Sequence, residues 1–293
     1  MTDAVAKVEF DSDVPEGGAP VGPGSLLWRL YRDRRSYMLI GVIGTIQNMH
    51  PAVSAGVVDH SKIFTEPFSR LQRSIPPVLD VIYSPPQAGA GPRLRDFHRD
   101  IKGVDASGDP YHALNPDTYW FTHVTFVEYA ILAADLVFGE PLDDQEKDQL
   151  IRESVTWWAR YGMSMRPVVY TWEEYERYLD EVCASTLNYT PIVKWSLEDL
   201  GKTEFDSQLG VPAWLFRIAA RIGHRIGGRA AVLSAMPDRY LNVLGVRPTQ
   251  LNIWGFRAVL SVVNTLWRIV PLKLRLQPQA YAAGQQYGGV LPS

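Results

Sequence analysis

The histidines in the first half of the chain are the side chains best suited to chemistry. His50 lies near the end of residues 36–58, a stretch without Lys, Arg, Asp or Glu, and His60 follows it. A neutral imidazole can bind a metal ion through one ring nitrogen while the other donates a hydrogen bond. No two histidines have the i, i+4 spacing of a zinc-binding helix, and the single cysteine, Cys183, excludes a thiolate-rich site. A mononuclear site assembled from distant histidines stays open.

The segment RLQRS, residues 70–74, contains groups that could stabilise an anion. In a helix, Arg70, Arg73 and Ser74 lie on one face, because residues three and four positions apart share a side. Two guanidinium groups and a hydroxyl would then face the same ligand. Pro76 and Pro77 follow immediately, so we expect the helix to end or kink there.

A second basic cluster, in RLRDFHRDIKG (residues 93–103), includes a histidine. The same helical spacing places Arg95, His98 and Arg99 on one face. Solvated basic surfaces would explain both clusters. Their position close to a core segment favours an anionic ligand instead, because a charge near the core needs a partner. Haem propionates are such partners, and a neutral imidazole is the usual protein ligand of haem iron.

The elements that must position these residues are predicted to be mainly helical. Asn115 as a cap and Pro116 in the first turn begin a helix that ends at Gly139. Capping boxes predict two further helix starts, at Asp143 and Thr171. Such start and stop signals recur along the chain, and we find no internal repeat. We therefore expect an all-α fold.

Three more stretches are predicted to be helical: 36–58, 212–226 and 250–270. The best strand pattern is RPVVYTW, residues 166–172. Two segments rich in Gly and Pro are predicted loops: PPQAGAGP (85–92) and GVDASGDP (103–110). Neither loop is long or polar enough to be a linker between two domains.

Composition bounds the organisation and location of the protein. The 293 residues are predicted to form one domain, residues 25–293, after a flexible N-terminal arm rich in Gly and Pro, residues 1–24. A net charge of −3 gives no general attraction to nucleic acid. One cysteine and no apolar leader predict a cytoplasmic protein, with weak association with a membrane surface left open. Residues 36–58 are interrupted by polar side chains well short of the about 20 apolar residues that a membrane span needs.

Three segments in a fixed order resemble the MpaB-like oxygenase family, which includes the catalytic domain of the rubber oxygenase latex clearing protein. They are QNMHPAVSAGVVDHSKIFTEPFSRLQRS, RDFHRDIKG and PYHALNPDTYWFTHVTFVEYAI. The family pattern is QxxHPxVxxG ending in a (D/E)HS-like step, then RLxxT, HxxVxG, a tyrosine-containing loop and WxHxT. The match is close over residues 47–130 and looser in the remainder.

The resemblance implies an all-α domain with a globin-like core that binds haem b. His98 matches the histidine that serves as proximal iron ligand, Arg70 matches a distal arginine, and Ser74 replaces a distal threonine while keeping its hydroxyl. Arg73 stands where rubber oxygenases have a lysine able to ligate the iron. A guanidinium has no lone pair to offer a metal, so we expect an open or water-occupied sixth position.

Five further side chains are candidates for contact with the cofactor: His50, Arg95, Arg99, His123 and Tyr111. His123, in WFTHVTF, is the chief rival of His98 for the iron. His50 is expected to bond either a helix end or a propionate. The other histidines are assigned structural or surface roles: His60, His112 and His224.

These features predict a haem-dependent oxidoreductase that uses dioxygen or peroxide against an apolar small molecule. In that reaction Arg70 and Arg73 would stabilise developing negative charge, and Ser74 would relay a proton or order a water. Oxygenase and peroxidase activities need the same side chains, so both stay open. Rubber cleavage is not carried over, because neither Asp59 nor Glu66 aligns with the glutamate proposed as its base.

Two other classes of function remain as alternatives. One is a haem carrier or sensor without catalysis. The other is a helical protein without cofactor that binds a membrane surface or a protein partner through the segment 213–229, where Arg217, Arg221 and Arg225 face away from Trp214. The oligomeric state is left open.

Overall fold

The computed structural model describes residues 10, 12–65, 67–199 and 228–288, without the side chains of residues 67–72. The helices before its single described hairpin are α1 (Leu26–Tyr31), α2 (Ile40–Asn48), α3 (Pro51–His60), α4 (Pro67–Tyr83) and α5 (Ala90–Asp96), with 3-10 turns at Arg34–Leu39 and Pro86–Ala88. The hairpin consists of β1 (Lys102–Val104) and β2 (Pro110–His112). The helices after it are α6 (Pro116–Leu132), α7 (Asp144–Ala159), α8 (Trp172–Ser185), α9 (Pro191–Lys194), α10 (Arg229–Ala235), α11 (Asp238–Leu244), α12 (Gln250–Trp267), α13 (Leu272–Arg275) and α14 (Pro278–Tyr287), with π-helical turns at Ala133–Phe138 and Trp195–Asp199. The predicted all-α class is confirmed.

Helix α6 is the centre of the fold and packs against α1, α2 and α7. It begins as predicted, since the Asn115 side chain accepts a hydrogen bond from the Asp117 backbone and Pro116 occupies the first turn. Its π-helical extension ends at Gly139, whose φ of 70° a residue with a side chain would rarely adopt. Among the described residues, the helical run Pro116–Phe138 is long and apolar enough to cross a membrane, but 61% of its apolar window is buried inside the protein, as expected of a core helix.

The uncharged stretch 36–58 was predicted to be one buried helix, but it forms several elements. The 3-10 turn and α2 lead to Met49, and α3 starts again at Pro51. His50 causes this restart, because its Nδ1 accepts a hydrogen bond from the Ala52 backbone N–H at 3.2 Å and so caps α3. The part of the prediction that gave His50 a bond to a helix end is confirmed.

The strand prediction was wrong in position. Residues 166–171 form an irregular segment whose backbone groups serve a turn and a helix start: Val168 N–H donates to Met165 O, and Tyr170 N–H donates to the Glu174 carboxylate. The described strands lie instead around the segment 103–110, which was predicted to be a loop. Asp105 makes this hairpin turn, since its carboxylate accepts bonds from the backbone of Ser107 and Asp109.

Two helix boundaries near the candidate site also differ from the prediction. Helix α4 does not end at Pro76 and Pro77 but continues to Tyr83, whose buried end packs against α5 and α14. That packing compensates for the two backbone donors that the prolines lack. Helix α5 ends at Asp96, so His98 and Arg99 lie in the turn that follows it and not on the same helix as Arg95.

Helix α5 is fixed at its start by an unusually close approach to α7. A Cβ atom at Gly91 would lie 2.0 Å from the carbonyl oxygen of Arg160, a distance that no side chain allows. The turn with His98 is thereby placed directly beside the end of α7. Arg160 in turn bonds Asp13 and the carbonyls of Val81 and Val21, which ties the described second half of the predicted arm 1–24 to the core.

The remaining helix predictions are mostly confirmed. The Asp143–Glu146 capping box is present, and Thr171 caps α8 by accepting from the Glu174 backbone. Helix α12 occupies the predicted range 250–270 apart from its last residues. The helix predicted over 212–226, with His224, lies outside the described residues.

Candidate functional site

His98 lies in the half-buried turn between α5 and β1. Its Nδ1 is 3.0 Å from the carbonyl oxygen of Leu94, one turn earlier. Because a carbonyl only accepts, Nδ1 has the proton and Nε2 has the lone pair. The Tyr119 ring packs edge-on against the imidazole, with 5.5 Å between ring centroids. This is the arrangement that metal-binding histidines adopt, in which a backbone partner fixes the tautomer.

His50, which is half-buried like His98, lies at the start of α3. As the cap of α3 it accepts a hydrogen bond at Nδ1, so its proton is on Nε2. Its ring lies 5.2 Å from that of Phe121 on α6. Burial lowers the pKa of His50 to about 4, against a smaller opposing effect of the Asp105 carboxylate. His50 is therefore a neutral donor at neutral pH and does not provide a metal ligand while it caps the helix.

The two arginines predicted to meet an anion share one carboxylate. Arg95 bonds Asp96 at 2.8 Å, and Arg99 bonds the other oxygen of the same carboxylate at 3.0 Å. The two guanidinium groups hold the pKa of Asp96 below its ordinary value. Arg95 also donates to the backbone carbonyl of Tyr161 at 3.1 Å. These cations already have an anionic partner within the chain.

Helix α3, the hairpin and the His98 turn are joined by side-chain bonds. The Tyr111 hydroxyl donates to Asp59 at 2.6 Å, and desolvation raises its pKa to about 12, with a further contribution from that carboxylate. His60 bonds the carbonyl of Lys102, and His112 bonds the carbonyl of Arg99. We call the four histidines of this region the histidine rim: His50, His60, His98 and His112. Tyr111 lies on the α3 side of the rim and has no recorded contact with His98.

His123 occupies the centre of what we call the aromatic core, formed by Tyr119, Trp120, His123, Trp157, Trp158 and Tyr161. Its side chain is 1% exposed, and its ring centroid lies 4.7 Å from Trp157 and 5.2 Å from Trp120. The Nε2 atom bonds the Ser154 carbonyl at 3.1 Å, so the lone pair is on Nδ1, which has no hydrogen-bond partner in the described structure. Burial lowers the pKa of His123 to about 3.

The residues predicted for the distal side lie on the first half of α4. Arg73 and Ser74 are exposed on this half of the helix. The backbone of Arg70 is on the same helix, one turn earlier, but its side chain is outside the described part of the chain. The helical spacing that places the three residues on one face is confirmed for the backbone.

Two cavities between described residues are lined by side chains other than the predicted cofactor residues. One, of about 200 Å³, lies between Asp13, the loop 84–92 and Arg160. The other, of about 280 Å³, lies between Asp135, Ser234 and α12. Within the described residues no group of three His, Cys, Asp or Glu side chains could hold a metal ion. Haem iron needs only one or two protein ligands and so requires no such group.

Sequence reasoning missed two side chains that shape this region. Tyr119 connects His98 to the aromatic core, since its ring also lies 5.5 Å from that of Tyr161. Its spacing of four residues from His123 could have placed it on the same face of α6. Glu153 is a carboxylate that is only 1% exposed, and its spacing of three residues from Leu150 and four from Trp157, both fully buried, was the available signal.

A comparison with family models matches most of the chain. The model described as ER-bound oxygenase mpaB/B'/Rubber oxygenase, catalytic domain, aligns with residues 28–265, which is about four fifths of the chain. The matched range includes the histidine rim, the aromatic core and most of α12. No curated protein and no solved structure matches the sequence.

Proposed function

The chain belongs to the family of MpaB-type and rubber oxygenase catalytic domains, and from this premise we propose that it is a haem b-dependent oxygenase acting on an apolar small molecule. Membership of this family supports an oxidoreductase of the oxygenase type. The haem, its ligand and the substrate class are the parts that we add. A peroxidase would use the same residues and is separated from an oxygenase only by the oxidant it consumes.

The observation that best supports a haem is the hydrogen bond from His98 Nδ1 to Leu94 O. It leaves the lone pair on Nε2, and the carbonyl partner makes the imidazole a better donor to iron. His98 would hold the iron, and the haem would supply the activation of dioxygen or peroxide. Tyr119 packs against one edge of the imidazole and restricts its rotation.

His123 is a weaker candidate for the iron, because its surroundings are already filled. Its ring contacts Trp120, Trp157, Trp158 and Tyr161 at centroid distances of 4.7–5.6 Å. A macrocycle at Nδ1 would have to displace several of these buried rings. Each such displacement costs a few kcal/mol of packing. We therefore assign His123 to the stability of the core.

The propionates would be bound by the cations and donors near the His98 turn. Arg99 is 66% exposed, and its pair with Asp96 is of the exposed type that contributes only about 0.2–1 kcal/mol. Arg99 can therefore bind a propionate, in place of Asp96 or together with it, at little cost in free energy. His50 remains neutral and can donate from Nε2 to an anion without leaving its capping position.

Helix α4 would form the side on which the oxidant reacts. Arg70 and Arg73 would provide fixed positive charge there, and loss of one such donor commonly costs about 10²–10³ in rate. Ser74 would hold or pass a proton at its hydroxyl. Arg73 cannot ligate iron, so this side would remain accessible to the oxidant.

An apolar substrate is supported by the exposed apolar side chains around the histidine rim. Phe97, next to His98, is 66% exposed, and Val104 on β1 is 60% exposed. Single exposed apolar residues need no explanation, but two near one candidate site favour an apolar ligand. No carboxylate of this chain is assigned as the base of rubber cleavage.

The test is a titration of the purified protein with haemin, followed by its absorption spectrum. We expect wild type to give a Soret band, His98→Gly to lose it, and free imidazole to restore it by occupying the space of the missing ring. His60→Ala is the matched control, since His60 also bonds a backbone carbonyl but is exposed. It should bind haemin like wild type.

Three results would contradict the proposal. If the wild-type protein gives no Soret band with haemin, haem is not its cofactor. A band lost in His123→Ala but kept in His98→Gly would assign the iron to the other histidine. A haem-loaded protein that turns over no apolar substrate with dioxygen or peroxide would be a carrier or sensor.

A further inference from the structure

Helix α12 has one face in the core and one face that nothing in the described structure covers. Its inner face is anchored by the buried Phe256 and Leu260, and Asn264 donates a hydrogen bond to the Val137 carbonyl at 2.9 Å. Its contacts are with α10 and with the π-helical turn after α6. The helix is therefore held firmly in a fixed orientation, and its outer face is presented as a rigid surface.

The outer face of α12 is mainly apolar, with exposed hydroxyl groups at Ser261 and Thr265. Seven of the thirteen large exposed apolar side chains of the described residues lie between 251 and 274: Leu251, Trp254, Val259, Val262, Leu266, Ile269 and Leu274. Five of them lie on α12, most three or four residues apart and so on one side of the helix, while Ile269 lies in the turn after it and Leu274 on α13. Ile269, at 80% exposed, is the most accessible of them. A contiguous apolar patch of this kind on a monomer indicates an interaction surface.

The charged side chains of α12, of α13 and of the turn between them are all positive. Two carboxylates from elsewhere lie close to α12: Asp33 is paired with Arg35, and Asp135 lines the cavity beside Arg257. From residue 239 to the C-terminus the sequence has six Lys and Arg and no Asp or Glu, although the whole chain has a net charge of −3. Arg257 and Arg268 follow one flank of the apolar face, and Lys273 lies beyond the end of the helix. All three are exposed, and none has an ion pair with another described residue.

We propose that the outer face of α12 docks the protein on an anionic lipid surface. The apolar side chains would enter the boundary between headgroups and acyl chains, and the flanking cations would contact lipid phosphates and carboxylates. An apolar face with Trp and Leu beside Lys and Arg is the composition of helices that lie in the membrane interface. Trp254 suits that boundary because its ring has an apolar body and a polar N–H.

A second copy of the chain fits this surface less well. In a symmetric dimer the same patch occurs on both partners, so the cations that flank the patch on one copy would be brought close to those of the other. Repulsion between these like charges would oppose the gain from apolar contact. Anionic lipid removes that repulsion and covers the apolar face at the same time.

The test is flotation of the full chain with phosphatidylcholine vesicles, with and without phosphatidylserine, and it does not depend on haem. We expect the wild type to float with the anionic vesicles and to be released by salt. The double variant Val262→Asp, Ile269→Asp should bind at least about tenfold more weakly. Replacing Arg257 and Arg268 by Glu should abolish the preference for phosphatidylserine, since each interfacial cation contributes about fivefold to binding.

Val104→Asp is the matched control, because Val104 is equally apolar and 60% exposed but lies on the hairpin. It should float like wild type. Circular dichroism and the unfolding midpoint show whether each variant folds. Comparison of wild-type binding to the two vesicle types tests the proposal even if a variant does not fold. Wild type that floats with neither vesicle, or equally with both, overturns the proposal. A wild-type dimer that the Val262→Asp, Ile269→Asp variant converts to a monomer assigns the face to a second copy and also overturns it.

Discussion

The histidine rim and the aromatic core contain the same side chain in two different settings. His98 and His123 each give a ring N–H to a backbone carbonyl, and each contacts a tyrosine ring. His98 does so in a half-buried turn, whereas His123 does so on the central helix, enclosed by four rings. Burial lowers the pKa of His123 to about 3 and makes its lone pair unreachable.

The comparison shows that packing around an imidazole, more than its hydrogen bonds, decides whether the ring stabilises the core or offers a nitrogen to a ligand. In the core, the ring contributes as an aromatic body and its N–H satisfies one carbonyl. In the rim, the same groups leave a nitrogen close to the surface. We therefore expect changes in the core to affect stability first, and changes in the rim to affect ligand binding first.

The largest effect is expected for His123→Ala. It removes contacts with the surrounding rings and leaves the buried Ser154 carbonyl without its donor, which together should lower the free energy of unfolding by about 3 kcal/mol. His98→Ala should lower it by less than about 1 kcal/mol, since a half-buried group in a turn is removed. Denaturant unfolding of both variants measures the difference. Equal losses would show that the two settings do not differ as described.

A second prediction concerns Glu153, the buried carboxylate beside Ser154. It accepts bonds from the backbone of Leu26 at 2.9 Å and of Leu27 at 2.8 Å, and so caps α1. Desolvation raises the pKa of Glu153 to about 7, and those two bonds oppose the shift only in part. The folded protein thus keeps a proton that the unfolded chain releases near its ordinary pKa of 4.5. Stability should then fall as pH rises from about 4.5 to about 7 and level off above that.

The shift corresponds to a change on the order of 3 kcal/mol across that window. Glu153→Gln cannot ionise and should flatten this part of the profile while keeping one acceptor oxygen. The measurement is the free energy of unfolding at several pH values on both sides of the window. A variant with the same pH dependence as wild type would show that another group titrates.

A smaller effect is expected in the rim, for Tyr111→Phe. The change removes only the hydroxyl that donates to Asp59 at 2.6 Å, and because that carboxylate is exposed the loss should be about 1 kcal/mol. Haemin uptake should weaken severalfold, because α3 and the hairpin are held less firmly beside the His98 turn. Thermal unfolding and a haemin titration report the two effects separately. Unchanged haemin binding would place Tyr111 outside the cofactor site.

Features that depend on residues within one or two helical turns were determined by the sequence. The caps at Asn115, Asp143 and Thr171, the end of the α6 region at Gly139, and the bond from His50 to a helix end all follow from local spacing. Local donors and acceptors decide such features before any tertiary contact forms. The order of motifs also identified the family, since that order is a property of the sequence itself.

Tertiary structure decided which histidine is enclosed and which remains near the surface. The partner of His123 is 31 residues away and that of His60 is 42 residues away, so neither could be read from local spacing. The same holds for α4, which continues through two prolines because its far end packs on other helices. Burial is a sum over segments distant in the chain, whereas a cap or a helical face is fixed by near neighbours.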